Sequence, residues 1–181
     1  GIDRRTLLKG LVASSVGVAT GTAGYGFTAR HHLSVTREAV SVIGLPDGLR
    51  GLRIGMLTDV HRSRWVSHED VNAAVTALQA ERPDIIVLGG DYVTLADRRY
   101  MGPVADDLAS LHAPHGVFGI LGNHDDDQNM PAALARGGVS VLKDARTHVT
   151  INGEGLDLVG IRYWTRRPSE LATLRTVPQA R

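Results

Sequence analysis

The sequence has no cysteine, and that absence excludes both disulfide cross-links and thiolate metal sites. It also has almost no net charge, since 20 Lys and Arg against 19 Asp and Glu leave +1 at pH 7. So balanced a chain lacks the broad positive field of a general nucleic-acid binder, and no nucleic-acid partner is expected. A content of 43% hydrophobic and 22% charged residues is ordinary for a globular chain, and 181 residues can bury a sizeable core in one domain. Against these absences the eight histidines carry weight, because imidazole is a common metal ligand.

Residues 52–61 (LRIGMLTDVH) organise the rest. Ile54, Gly55, Met56 and Leu57 form a short apolar run, which reads as a strand buried on both faces. Polarity then switches to Thr58, Asp59, Val60 and His61. Asp59 and His61 follow the C-terminal end of that strand, where α/β sheets hold ligands, and carboxylate oxygen with imidazole nitrogen suits a first-row metal. The pattern recurs in residues 84–88 (DIIVL), followed by Gly89, Gly90 and Asp91, and in residues 116–121 (GVFGIL), followed by Gly122, Asn123, His124 and Asp125. Asp59, Asp91 and Asn123 stand 32 and 32 residues apart, about one strand–helix–strand unit each. Three successive parallel strands would deliver them to one sheet edge. The glycines beside Asp91 and Asn123 remove side-chain bulk where backbone must turn sharply or approach a ligand.

In this order and spacing, D-x-H, G-G-D and G-N-H-D resemble the calcineurin-like metallophosphoesterase superfamily. The wording T-D-V-H, V-L-G-G-D-Y-V-T and L-G-N-H-D is similar to its exported branch, related to UDP-2,3-diacylglucosamine hydrolases, over roughly residues 35–181. The resemblance implies an α/β fold, a four-layer αββα sandwich. It implies two divalent metal ions (Mn, Fe, Zn or Co), with Asp59 and His61 on one, Asp91 bridging both and Asn123 on the second. His124 matches a histidine that stays off the metals and serves the leaving oxygen, and Asp125 is placed to orient the His124 ring. The activity so implied is hydrolysis of a phosphodiester, phosphomonoester or pyrophosphate, the last in a nucleotide-sugar lipid, by attack of a metal-bound hydroxide. Asp126 and Asp127 read as a solvated acidic run, where the branch more often carries aromatics. The alternative is a non-catalytic envelope protein that binds a phosphorylated lipid or wall polymer. Intact central motifs, which a binder has no chemical need to keep, speak for the enzyme.

The remaining segments frame that core. Residues 3–9 (DRRTLLK) resemble a twin-arginine export signal, and residues 10–29 follow without charge but diluted by Gly, Ser and Thr. Residues 1–29 are thus expected to be a cleaved signal or a retained anchor. The protein is then exported to the periplasm or the outer face of the cytoplasmic membrane, with the twin-arginine machinery as partner and membrane association through that segment. Residues 30–181 are the N-terminal portion of the phosphoesterase domain. Residues 34–43 read as an edge strand and residues 45–48 (LPDG) as a turn. Residues 62–65 (RSRW) form a loop over the crevice mouth, free to meet a phosphate or simply solvated. Ser67 opens a helix to about Ala80 through a capping box, with Val71, Ala74, Val75 and Leu78 on its apolar face. A second helix starts near Pro103 and buries Val104, Leu108 and Leu111; a third runs from Met130 or Pro131 to Gly137. Residues 139–142, 147–151 and 156–161 read as strands, the last two joined at Asn152–Gly155, so that antiparallel strands follow the parallel units. His31, His32, His68, His112, His115 and His148 read as surface or structural residues. The family's later histidine and its G-H-x-H motif have no match, so the chain is expected to be an N-terminal fragment, incomplete in its second sheet. Its metal binding should be weak and its turnover slow.

Overall fold

The three apolar runs pair as parallel strands. In the computed structural model, which describes residues 33–165, β1 (Ile54–Leu57), β2 (Ile85–Leu88), β3 (Val117–Gly119) and β4 (Ser140–Val141) form one sheet in that order. The register sets Ile54 against Ile85, Ile86 against Val117 and Phe118 against Ser140. Residues 1–29, read as an export signal, and His31 and His32 lie outside the described residues.

Each crossover carries a helix. The first, α1 (His68–Ala80), begins with the capping box the sequence announces. The Ser67 hydroxyl accepts the Asp70 N–H at 3.2 Å and the Asp70 carboxylate accepts the Ser67 N–H at 2.8 Å, which satisfies two otherwise orphaned donors. Next come α2 (Met101–Leu108) and α3 (Met130–Arg136). Leu111 is buried as expected but lies beyond the end of α2. The helices bury Val71, Val75, Val104, Leu108, Met130 and Leu134 against Ile86 and Leu88 of the sheet. On the opposite face Ile85 and Phe118 pack with Leu49, Leu142 and Ile151. This alternation along β2 and β3 is the two-residue period of a strand buried on both sides.

That second face belongs partly to a hairpin. β5 (Ala145–Ile151) and β6 (Glu154–Gly160) pair antiparallel around Asn152 and Gly153, at φ 49° and 85°. Two left-handed residues in succession are the requirement of a tight two-residue hairpin, and Asn-Gly meets it at little cost.

Three expectations need correction. Strand β1 is covered on one face only, where Gly55 meets Leu78 and Pro83; Ile54 and Met56 are 52% and 65% exposed. An apolar run reports tolerance of burial, not that a second layer lies over it. Residues 139–142 do not start the antiparallel part, because β4 adds to the parallel sheet beside β3. Residues 34–43 form no strand, since their loose alternation finds no partner ladder among the described residues. The turn at residues 45–48 is realised as a short 3-10 helix at Asp47–Leu49.

Candidate metal centre

All the chemistry gathers beyond the C-terminal ends of β1, β2 and β3. The ladder between β1 and β2 continues into their loops: Asp59 N–H donates to Gly90 O at 3.0 Å, His61 N–H to Asp91 O at 2.9 Å and Arg62 N–H to Tyr92 O at 2.8 Å. The two loops therefore run side by side, and that is what brings Asp59 and His61 against Asp91. The backbone is held under strain there. Asp59, His61 and Asp91 have φ of 55°, 48° and 54°, a left-handed conformation that costs a non-glycine residue roughly 1–2 kcal/mol and persists only where the surroundings enforce it.

His61 Nε2 lies 3.9 Å from Asp59 Oδ1 and 3.8 Å from Asp91 Oδ2, and one donor atom from each of the three lies within 4.8 Å of the others. Nitrogen and oxygen ligands sit about 2.0–2.2 Å from a transition-metal ion, so two of them on one ion are at most roughly 4.4 Å apart. Both His61 distances fall inside that limit, so His61 can share a divalent cation with either carboxylate. Exposure is graded across it: the side chains of Asp59, His61 and Asp91 are 61%, 32% and 13% exposed, which places Asp91 at the floor. The Thr58 hydroxyl donates to Asp59 Oδ2 at 2.7 Å, leaving Oδ1 to face His61. Thr94 Oγ1 stands 3.4 Å from His61 Nδ1. With Nε2 turned to a cation, Nδ1 keeps its hydrogen and Thr94 is the acceptor in reach, a part the sequence did not reveal.

Asn123 is exposed and is flanked on both sides by contacts to Asp91. The His124 N–H donates to Asp91 Oδ1 at 2.9 Å, and a Cβ at Gly122 would collide with that same oxygen. A Cβ at Gly90, whose φ is 93°, would collide with the Gly122 nitrogen. Gly90 and Gly122 are thus required by the close approach of the loop after β2 to the loop after β3.

His124 stands next to this group, its ring edge-on to His61 with centroids 4.9 Å apart, and its Nδ1 accepts the Leu95 N–H at 3.0 Å. Asp125 does not reach that ring, contrary to expectation. It is 5% exposed and its carboxylate accepts the backbone N–H groups of Asp91 at 2.8 Å, Tyr92 at 2.8 Å and Gly122 at 2.9 Å. Burial pushes its pKa up against the downward pull of those donors. Asp125 therefore ties the loop after β2 to the loop after β3.

The acidic run after it is not a solvated one. Asp126 accepts from the Asn129 side chain and backbone at 2.9 and 3.0 Å, from the Gln128 N–H at 2.9 Å and from Arg98 Nε at 3.1 Å. These bonds, that of the Asn129 side chain foremost, hold its pKa down to about 2. Asp127 pairs with Lys143 at 2.9 Å and Arg162 at 3.2 Å. The loop over the crevice mouth divides. Arg62 turns inward to the buried Asp107 at 3.0 Å and to the carbonyls of Ser63 and Val66. Arg64 stacks on the exposed Trp65, 4.4 Å from the ring centroid. His68, read as a surface or structural residue, also binds Asp107, at 2.5 Å.

Comparison with known proteins agrees with this geometry. A profile of the calcineurin-like phosphoesterase family matches residues 52–166. The chain is 31% identical over 129 residues to the uncharacterized metallophosphoesterase YkuE of Bacillus subtilis, covering 68% of this chain and 45% of that protein. It is 27% identical over 175 residues to the phosphodiesterase YaeI of Escherichia coli, covering 88% and 60%. It is 36% identical over 77 residues to the UDP-2,3-diacylglucosamine pyrophosphatase LpxG of Chlamydia trachomatis, covering 42% and 23%. The matched stretch spans between 23% and 60% of these relatives' own lengths. A parallel sheet flanked by helices, three donors meeting at its edge and a profile match over most of the chain lead to one conclusion: the chain belongs to the calcineurin-like phosphoesterase family.

Proposed function

We propose that the protein is a dinuclear metal-dependent hydrolase of phosphoric esters, with Asp59, His61 and Asp91 to hold one cation and Asp91 and Asn123 to contribute to a second. The convergence of Asp59, His61 and Asp91 within 4.8 Å carries this reading. Divalent cations held there would neutralise phosphoryl oxygens and lower the pKa of water, the two demands that make phosphate esters slow to hydrolyse. The chain's own contribution is position. Asp125 fixes the two loops, the His124 N–H fixes Asp91, and the His124 side chain stands beside the cation ligands, in place to serve the leaving oxygen.

The substrate we propose is the pyrophosphate bond of a nucleotide-sugar lipid. The likeness to the Chlamydia trachomatis pyrophosphatase supports it, and the likeness to the Escherichia coli phosphodiesterase keeps simple diesters within range. Export is part of the same reading, supported by Arg4-Arg5 and the uncharged residues 10–29. Among the described residues no helix is long and apolar enough to cross a membrane. With four donors named, we further propose that these 181 residues alone bind metal weakly and turn over slowly, because transition metals favour fuller coordination.

Mn²⁺ titration and hydrolysis of bis-p-nitrophenyl phosphate test the reading. Asp91→Asn should lower both affinity and turnover by at least about 100-fold, the upper end of what lost support at a metal site costs. Mn²⁺ binding that survives this substitution, with no hydrolysis by either protein, would leave the phosphoesterase reading without its site.

A further inference from the structure

The loop after β2 does something that neither the cation site nor the family match requires. Leu95 and Ala96 both adopt left-handed backbone, at φ 51° and 53°, and neither is a glycine or an asparagine, the residues that tolerate it best. Leu95 gains no burial from the arrangement, its side chain being 79% exposed. What the strained pair gains is a grip on His124. The Leu95 N–H donates to His124 Nδ1 at 3.0 Å and the Ala96 N–H donates to the His124 carbonyl at 2.8 Å. The loop is then closed behind them, with Asp97 N–H on Thr94 O at 3.1 Å and Tyr100 N–H on Asp97 O at 3.1 Å. Backbone strain at a site persists where the surrounding structure enforces it, and here both strained amides end on one histidine.

We infer that the Leu95 backbone amide is the positioning group of His124, holding its ring as the tautomer with bare Nδ1 and the hydrogen on Nε2. A nitrogen that accepts a hydrogen bond carries no hydrogen of its own, and in neutral imidazole the other nitrogen must then carry it. A carboxylate partner at Nδ1 would accept a hydrogen there and leave Nε2 a bare lone pair for a base; a backbone amide does the reverse. His124 therefore offers a hydrogen bond from Nε2, on the ring edge away from Leu95, and cannot take up a proton there while the tautomer holds. If the proposed hydrolysis is correct, on which this consequence rests, His124 meets the leaving or phosphoryl oxygen as a donor and does not act as a base. The tautomer itself does not depend on that reading.

Nuclear magnetic resonance on the ¹⁵N-labelled, metal-free 181-residue chain reads it directly. The expected result is a His124 ring with the shift of a bare nitrogen at Nδ1 and of a hydrogen-bearing nitrogen at Nε2, together with a scalar coupling across the hydrogen bond between the Leu95 amide nitrogen and Nδ1. Leu95→Gly relieves the left-handed turn without removing the amide and should keep both signatures. A hydrogen on Nδ1, averaging of the two ring shifts, or absence of the coupling in the unsubstituted chain would overturn the inference, as would loss of both signatures in folded Leu95→Gly. Both are read without turnover, so a preparation that hydrolyses no ester bears on the proposed function alone.

Discussion

At the scale of single residues, the site is limited by how closely two loops approach. A methyl at Gly122 would occupy the place of Asp91 Oδ1 and would lie 2.6 Å from the Asp91 nitrogen. Gly122→Ala should therefore weaken Mn²⁺ binding by about 10-fold or more, within the range for disturbed support of a metal ligand, as read by isothermal titration. Gly102 offers the contrast: it lies in α2, and a methyl added there would meet nothing within 4 Å. Gly102→Ala should raise stability by about 0.5–1 kcal/mol and leave binding unchanged. Asp125 makes a sharper case. Asparagine in its place has one acceptor oxygen where three backbone N–H groups now end on two. A buried donor left without a partner costs roughly 1–3 kcal/mol, so Asp125→Asn should unfold earlier in urea and also bind metal more weakly. A residue that merely oriented the His124 ring would lower turnover and leave the urea midpoint in place.

At the scale of elements, the ends of the helices and strands carry the argument. Leu134 is fully buried in α3 against the sheet, and Leu134→Ala should cost about 2–5 kcal/mol by urea denaturation, with the cavity setting where in that range it falls. The turn that leads into α3 is held by Asp126, whose folded pKa of about 2 lies below its ordinary value of 3.8. A depressed carboxyl pKa gives stability that is present above the unfolded value and is lost as pH falls through the folded one. Stability should thus decline between about pH 4 and pH 2, and Asp126→Asn should flatten that part of the profile. What the sequence disclosed at this scale follows local physics. The capping box at Ser67, the Asn152-Gly153 turn and the strand-to-loop switches at Asp59, Asp91 and Asn123 each need only neighbouring residues to be recognised. What it hid is tertiary. Whether a second layer covers Ile54 and Met56 depends on distant chain, the grip of Leu95 on His124 uses a backbone donor that nearly every residue possesses, and the acidic pair Asp126-Asp127 looks solvated until Arg98, Lys143 and Arg162 are brought to it.

At the scale of the whole molecule, one parallel sheet explains why residues 32 positions apart act together. Each strand and its returning helix place the next loop beside the last, so Asp59 with His61, Asp91 and Asn123 with His124 arrive at one edge. The cost of that assembly appears as left-handed backbone at Asp59, His61 and Asp91 and a buried carboxylate that ties two loops. A cation that binds only the folded chain should return some of that stability, raising the melting temperature as its concentration passes the dissociation constant. The most direct measurement is therefore Mn²⁺ binding to the 181-residue chain and to Asp91→Asn, followed by isothermal titration under identical conditions. Saturable binding that weakens by about 100-fold or more on the substitution is the predicted result. Equal affinity in the two proteins, with both folded, would contradict the claim that these strand ends build a metal centre.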